Sequence, residues 1–144
     1  MKRKLIALIL CIVLCLATLG SSLAATLSAT VQGSCKKAFT PSYYLQRSSS
    51  DNPWNYMREH CTSITYADDA PGSYMDFYLK SYTETGAAAA PNAFCQVGDT
   101  TINFYTGKKE ATKVTFKVYN SHYYEEGDSS TKVSIKSTVY GYLQ

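Results

Sequence analysis

The 144-residue chain has one tryptophan, two histidines and four prolines. Past residue 24 it has no long apolar run, so that part holds nothing with the ~20 residues a spanning helix needs. Val, Ile, Leu and Phe together supply only 18 of the 120 residues from Ala25 onward. Charge of one sign is missing as well. The chain has 14 basic and 11 acidic residues, and Lys2, Arg3 and Lys4 account for the excess, leaving 11 of each after residue 24. A formally neutral domain lacks the dominant basic field of a nucleic-acid binder. No cofactor-binding or catalytic motif occurs, so no cofactor is expected and the chain reads as non-enzymatic. The length admits one domain and is too short for two.

What is present first is an export signal. Met1–Lys4 is basic, Leu5–Leu19 is apolar, and Gly20–Ala24 is a tail of small residues. That order predicts a secretory signal peptide over 1–24, cut after Ala24, and a single domain over 25–144. Cys11 and Cys15 lie in the apolar run and read as small hydrophobes. The mature form is expected outside the cell and not across a membrane.

Aliphatic scarcity with high net charge would mark disorder. Here charge is balanced, and thirteen tyrosines are available to fill a core. Hydrophobic residues recur with a period of two. Leu27, Ala29 and Val31 alternate with Ser28 and Thr30; Trp54 and Tyr56, then Thr62, Ile64 and Tyr66, share one parity with a break expected near Arg58–His60. Met75, Phe77 and Leu79 form a further set, followed by Ile102 and Phe104, then Val114, Phe116 and Val118. Val133, Ile135, Ser137 and Val139 make the last. Alternation of β-branched and aromatic residues marks half-buried strands. Gly, Ser, Asp, Asn and Pro clusters at 48–53, 67–73, 85–92, 106–110 and 125–130 separate them. About seven short strands with no convincing helix predict an all-β fold, an antiparallel β-sandwich.

The domain keeps Cys35, Cys61 and Cys95, an odd number for an exported chain. Loop entropies of the three possible pairs lie within ~1 kcal/mol of one another and select none. Cys61 and Cys95 fall in strand-like runs, which favours a Cys61–Cys95 disulfide with Cys35 free or bridging two chains. Parity puts Cys61 on the face opposite Ile64, so that pairing needs a bulge or a different partner.

Other clusters read as structure. His60 and Cys61 are adjacent on a strand and point to opposite faces, so they form no nucleophile–base pair. His60, His122 and the cysteines lack metal-ligand spacing, and no metal site is expected. Asp68-Asp69 and Asp128-Ser129-Ser130 are turn formers, far from a calcium-loop pattern. Trp54, after Asp51-Asn52-Pro53, reads as a cap on the core, with an exposed ligand platform as the other reading.

One constellation suggests contact with a partner. Lys113, Thr115, Lys117 and Tyr119 lie opposite the apolar set of one strand. Lys132, Ser134, Lys136, Thr138, Tyr140 and Tyr142 lie opposite that of the last. Consecutive strands are often neighbours. If these two pair, one face carries four lysines and three tyrosines, suited to a cell-envelope polymer or a surface protein. The plainer reading is a solvated face whose lysines discourage aggregation.

The signal, the short first strand, the segment Tyr44–Trp54 with its Asn-Pro-Trp, the Met75–Leu79 strand and the ending Ser137-Thr138-Val139-Tyr140-Gly141-Tyr142 together resemble a known group. The order is similar to that of small secreted Gram-positive bacterial proteins associated with bacteriocin export, the lactococcin 972-like proteins. That resemblance implies a small β-sandwich, in some members one that inhibits related cells at the envelope; it assigns no functional residue. The expectation is a secreted protein acting by contact at a bacterial cell surface, bacteriocin-like. The alternatives are an assembly subunit that self-associates through an edge strand or Cys35, and a small hydrolase.

Overall fold

A computed structural model describes residues 26–47, 53–67 and 75–144. The signal segment 1–24, Asp51, Asn52, Asp68 and Asp69 lie outside the described residues. Among the described residues, nine strands and one short helix follow in the order β1 (Thr26–Cys35), β2 (Ala38–Phe39), β3 (Leu45–Gln46), β4 (Trp54–Ala67), β5 (Asp76–Thr83), β6 (Ala93–Gln96), β7 (Gly98–Asn103), β8 (Lys113–Asn120), α1 (Ser121–Glu126) and β9 (Lys132–Leu143). The fold is all-β. One sheet has the order β1-β9-β4-β7; the other has the order β2-β8-β5-β6, with β3 also beside β8. Every pair of neighbouring strands is antiparallel.

The alternating runs supply the core from both sheets. Val31, Trp54, Met57, Val133 and Val139 of the first and Leu45, Phe77, Leu79, Val114, Phe116 and Val118 of the second belong to one buried cluster. Burying a side chain of this kind is worth ~1.5–3 kcal/mol. Met75 departs from its expected place. It precedes β5 and is 54% exposed, while Asp76 beside it is buried.

Three expectations need correction. β4 does not break near Arg58–His60: these residues pair on both sides, with Thr101, Thr100 and Asp99 of β7 and with Tyr140, Val139 and Thr138 of β9. Instead the register shifts between Trp54 and Tyr56 and again between Cys61 and Ser63. The second bulge adds one residue and resets the parity, so that Cys61 and Ile64 are both buried. A helix is also present. Asn120 caps α1, its Oδ1 accepting from His122 N at 3.0 Å, and Gly127 N closes it on Tyr123 O. The third correction concerns β8 and β9, expected to pair. The turn through α1 carries the chain from β8 in the five-stranded sheet to the middle of the four-stranded one.

The chain also changes sheets between β6 and β7. Gly98 sits there with φ 115°, a conformation that a residue with a side chain rarely adopts.

Trp54 is fully buried, so it is a core residue and cannot be a ligand platform. Its Nε1 donates to Ala111 O at 2.7 Å, and its ring stacks on Phe104 at 5.8 Å. The ring also lies on Gly141, where a Cβ would collide with it. The Pro-Trp and Tyr-Gly-Tyr segments therefore pack against each other.

Candidate functional site

The outer face of the five-stranded sheet is built by period-two alternation. In β5, burying Phe77, Leu79 and Ser81 turns Tyr78, Lys80 and Tyr82 outward; in β8, burying Val114, Phe116 and Val118 does the same for Lys113, Thr115, Lys117 and Tyr119. The register sets Tyr78 beside Tyr119, Lys80 beside Lys117 and Tyr82 beside Thr115. Helix α1 then returns Tyr124 over this surface. Its ring stacks on Tyr78 with centroids 4.2 Å apart and meets Tyr119 edge-on at 5.6 Å. Phe94 of β6 extends the aromatic row, edge-on to Tyr78 at 5.5 Å.

Lysines lie on these rings. Lys80 Nζ is 4.8 Å from the Tyr119 centroid and 5.0 Å from that of Tyr124, and Lys117 Nζ is 5.2 Å from Tyr119. Lys113 Nζ stands 4.0 Å over Tyr44. Each such contact is worth ~0.5–1 kcal/mol at an exposed site. Like charges placed directly opposite across a ladder repel, and Lys80 and Lys117 are so placed. Nearby carboxylates accept from other donors. Glu125 Oε1 accepts from Tyr78 OH at 2.7 Å, and Glu84 accepts from the Thr112 and Lys113 amides. The Glu125 bond pushes the Tyr78 phenol up to about 12. Burial and the neighbouring Tyr119 raise that of Tyr82.

The seven residues expected on one face are divided between two. Lys113, Lys117 and Tyr119 are on this face. Lys132, Lys136, Tyr140 and Tyr142 are on the outer face of the four-stranded sheet, because β9 pairs with β1 and β4. There Tyr142 stacks on Tyr56 at 4.6 Å, and Arg58 lies over the Tyr142 ring at 5.4 Å while donating to its hydroxyl. Sequence reading missed Tyr44, Tyr78, Lys80, Tyr82 and Tyr124 as companions of Lys113, Lys117 and Tyr119. The signal was the Tyr-x-Lys-x-Tyr pattern over 78–82, which repeats the parity of 113–119.

A second polar cluster is internal. Glu59 of β4 is fully buried; Ser137 Oγ of β9 donates to its Oε1, and the side chains of Cys95 and Thr100 lie beside it. Burial pushes the Glu59 carboxyl up to about 7, against the lowering effect of Ser137. Cys61 and Cys95 are neighbours here, each raised chiefly by burial and then by Glu59, Cys61 to about 11. The expected Cys61–Cys95 disulfide is not formed: Cys35, Cys61 and Cys95 are all free and buried. The thiols turn instead to main-chain oxygens, Cys61 to Ser63 and Lys136, Cys95 to Ala93.

His60 points away from Cys61. It is 47% exposed and its Nδ1 is 2.6 Å from Asp99 Oδ1, whereas Cys61 is buried. His122 is buried in α1, and its ring meets Tyr66 edge-on. Asp128 accepts from Ser130 N and Ser130 Oγ, as a turn former does. Among the described residues no group of His, Cys, Asp and Glu is arranged to hold a metal ion, and no helix is long and apolar enough to cross a membrane.

The chain matches no family model, no curated protein and no solved structure.

Proposed function

We propose that this chain is a secreted, non-enzymatic β-sandwich that acts by contact at a bacterial cell surface, in a bacteriocin-like manner, after removal of residues 1–24. Its contact surface is the tyrosine–lysine face of β5, β8 and α1, and its ligand class is an anionic envelope glycopolymer. One observation carries this reading: Lys80 lies over the rings of both Tyr119 and Tyr124, directly across from Lys117. An anion between two opposed ammonium groups relieves their repulsion, and the flanking rings offer faces on which sugar C–H groups stack.

The division of lysines between two faces makes the reading testable. A polyol-phosphate wall polymer is titrated against Lys80→Gln/Lys117→Gln and against Lys132→Gln/Lys136→Gln. The first pair is expected to weaken binding by about tenfold or more, the second to leave it within about twofold. Loss confined to the second pair moves the site to β9, and equal loss in both reduces the contact to bulk charge. Binding also weakens as salt is raised, because Lys80 and Lys117 are only half-buried and their charges stay open to screening.

A further inference from the structure

The sheet edges differ in how they are protected. β7 has six residues and carries Asp99, β6 has four, and β2 and β3 have two each. β1 is different. It has ten residues, Thr-Leu-Ser-Ala-Thr-Val-Gln-Gly-Ser-Cys, with no charge and no proline. It pairs with β9 through ten consecutive residues without a register shift, and it ends the sheet. Among the described residues, β1 makes no main-chain hydrogen bond outside that pairing. Long, regular, uncharged edges present unpaired N–H and C=O groups and recruit another strand.

We propose that β1 pairs antiparallel with β1 of a second copy of this chain, about a two-fold axis at Thr30. Three features of the strand select its own copy as the occupant. First, a self-pairing edge sets the strand against its own sequence, so a net charge on it would repel its copy; β1 carries none. Second, the register about Thr30 places Ser28 against Gln32 on the exposed side, two uncharged polar residues. On the inner side it places Ala29 against Val31 and the large Leu27 against Gly33. Third, Leu27 and Phe39 are only partly buried against the core, and Phe39 fills the space over Gly33, where a Cβ would stand 2.7 Å from Phe39 Cε2. Pairing in this register brings Leu27 of one copy to Phe39 of the other and covers both. The inference is independent of the ligand reading, which concerns the other sheet.

The test is sedimentation equilibrium of the protein as purified, its N-terminus fixed by intact mass, from micromolar to millimolar concentration. A monomer–dimer equilibrium is expected. Thr30 is exposed, so Thr30→Lys preserves the fold, and by placing two ammonium groups opposite each other it weakens dimerisation by about tenfold or more. Thr30→Cys is expected to give a dimer that oxidises to a covalent one and is released by reductant. A monomer at every concentration overturns the proposal. So does a dimer that Thr30→Lys leaves unchanged or that Thr30→Cys does not cross-link.

Discussion

Ser137 Oγ donates to Glu59 Oε1 inside the protein, in a contact between two neighbouring strands of the four-stranded sheet. The carboxyl has no exposure, and burial raises it from an ordinary 4.5 to about 7. A raised carboxyl favours the folded state while protonated. Its contribution is full below about pH 4.5 and is lost as pH rises through about 7. Asp76, raised by burial, acts in the same direction. Urea unfolding is therefore expected to show less stability at slightly alkaline than at mildly acidic pH, by up to about 3 kcal/mol. Glu59→Gln flattens that slope. A slope unchanged in Glu59→Gln assigns the dependence to other groups.

The three thiols behave as core atoms. Burial keeps Cys35, Cys61 and Cys95 protonated, and the thiolate is the reactive form. An alkylating reagent at slightly alkaline pH is expected to leave the native protein unmodified and to label all three sites after unfolding without reductant. Mass spectrometry reads both states. A native protein already short of two hydrogens, with one labelled site on unfolding, contradicts free thiols.

Gly141 is a packing requirement. A Cβ there would run into the Trp54 ring and come within 3.0 Å of Leu45 Cδ1. Gly141→Ala is expected to destabilise by about 1–3 kcal/mol, the usual range for overpacking. Because Trp54 is the chain's one tryptophan, its fluorescence reports the displaced ring directly. An alanine variant with native stability and an unshifted spectrum contradicts the contact.

These contacts show what the sequence could and could not disclose. Val114, Phe116, Val118 and Val133, Ile135, Val139 were legible as buried faces because nothing interrupts their alternation. Cys61 was not, because one bulge between Cys61 and Ser63 reverses the parity of the strand back to the earlier register shift at Trp54–Tyr56, and an extra residue carries no compositional mark. Asn120 and Gly127 bracket a six-residue helix too short to show a helical period. The pairing of β8 with β5 and of β9 with β1 and β4 is a long-range choice made by the whole core. The rule that neighbours in sequence pair therefore failed at the one place where the candidate face depended on it. The parity of Lys113, Lys117 and Tyr119 was readable; their true companions Tyr78 and Lys80, roughly 35–40 residues earlier, are set by register.

Glu125 tempers the positive face by accepting from Tyr78 OH. Glu125→Gln removes the carboxylate, so the Tyr78 phenol falls from about 12 toward its ordinary 10. Spectrophotometric titration of the tyrosines detects this. The same variant is expected to bind an anionic polymer a few-fold more tightly, since one repelling charge is gone. Weaker binding would give Glu125 a positioning role instead.

The most direct test of the proposed contact face is an NMR titration with a polyol-phosphate wall polymer, following the tyrosine rings and lysine side chains. The account predicts that Tyr78, Lys80, Lys117, Tyr119 and Tyr124 shift together, while Tyr56, Tyr142 and Lys136 on the other sheet stay in place. Shifts centred on Tyr56, Lys136 and Tyr142, or none at any tyrosine, contradict it.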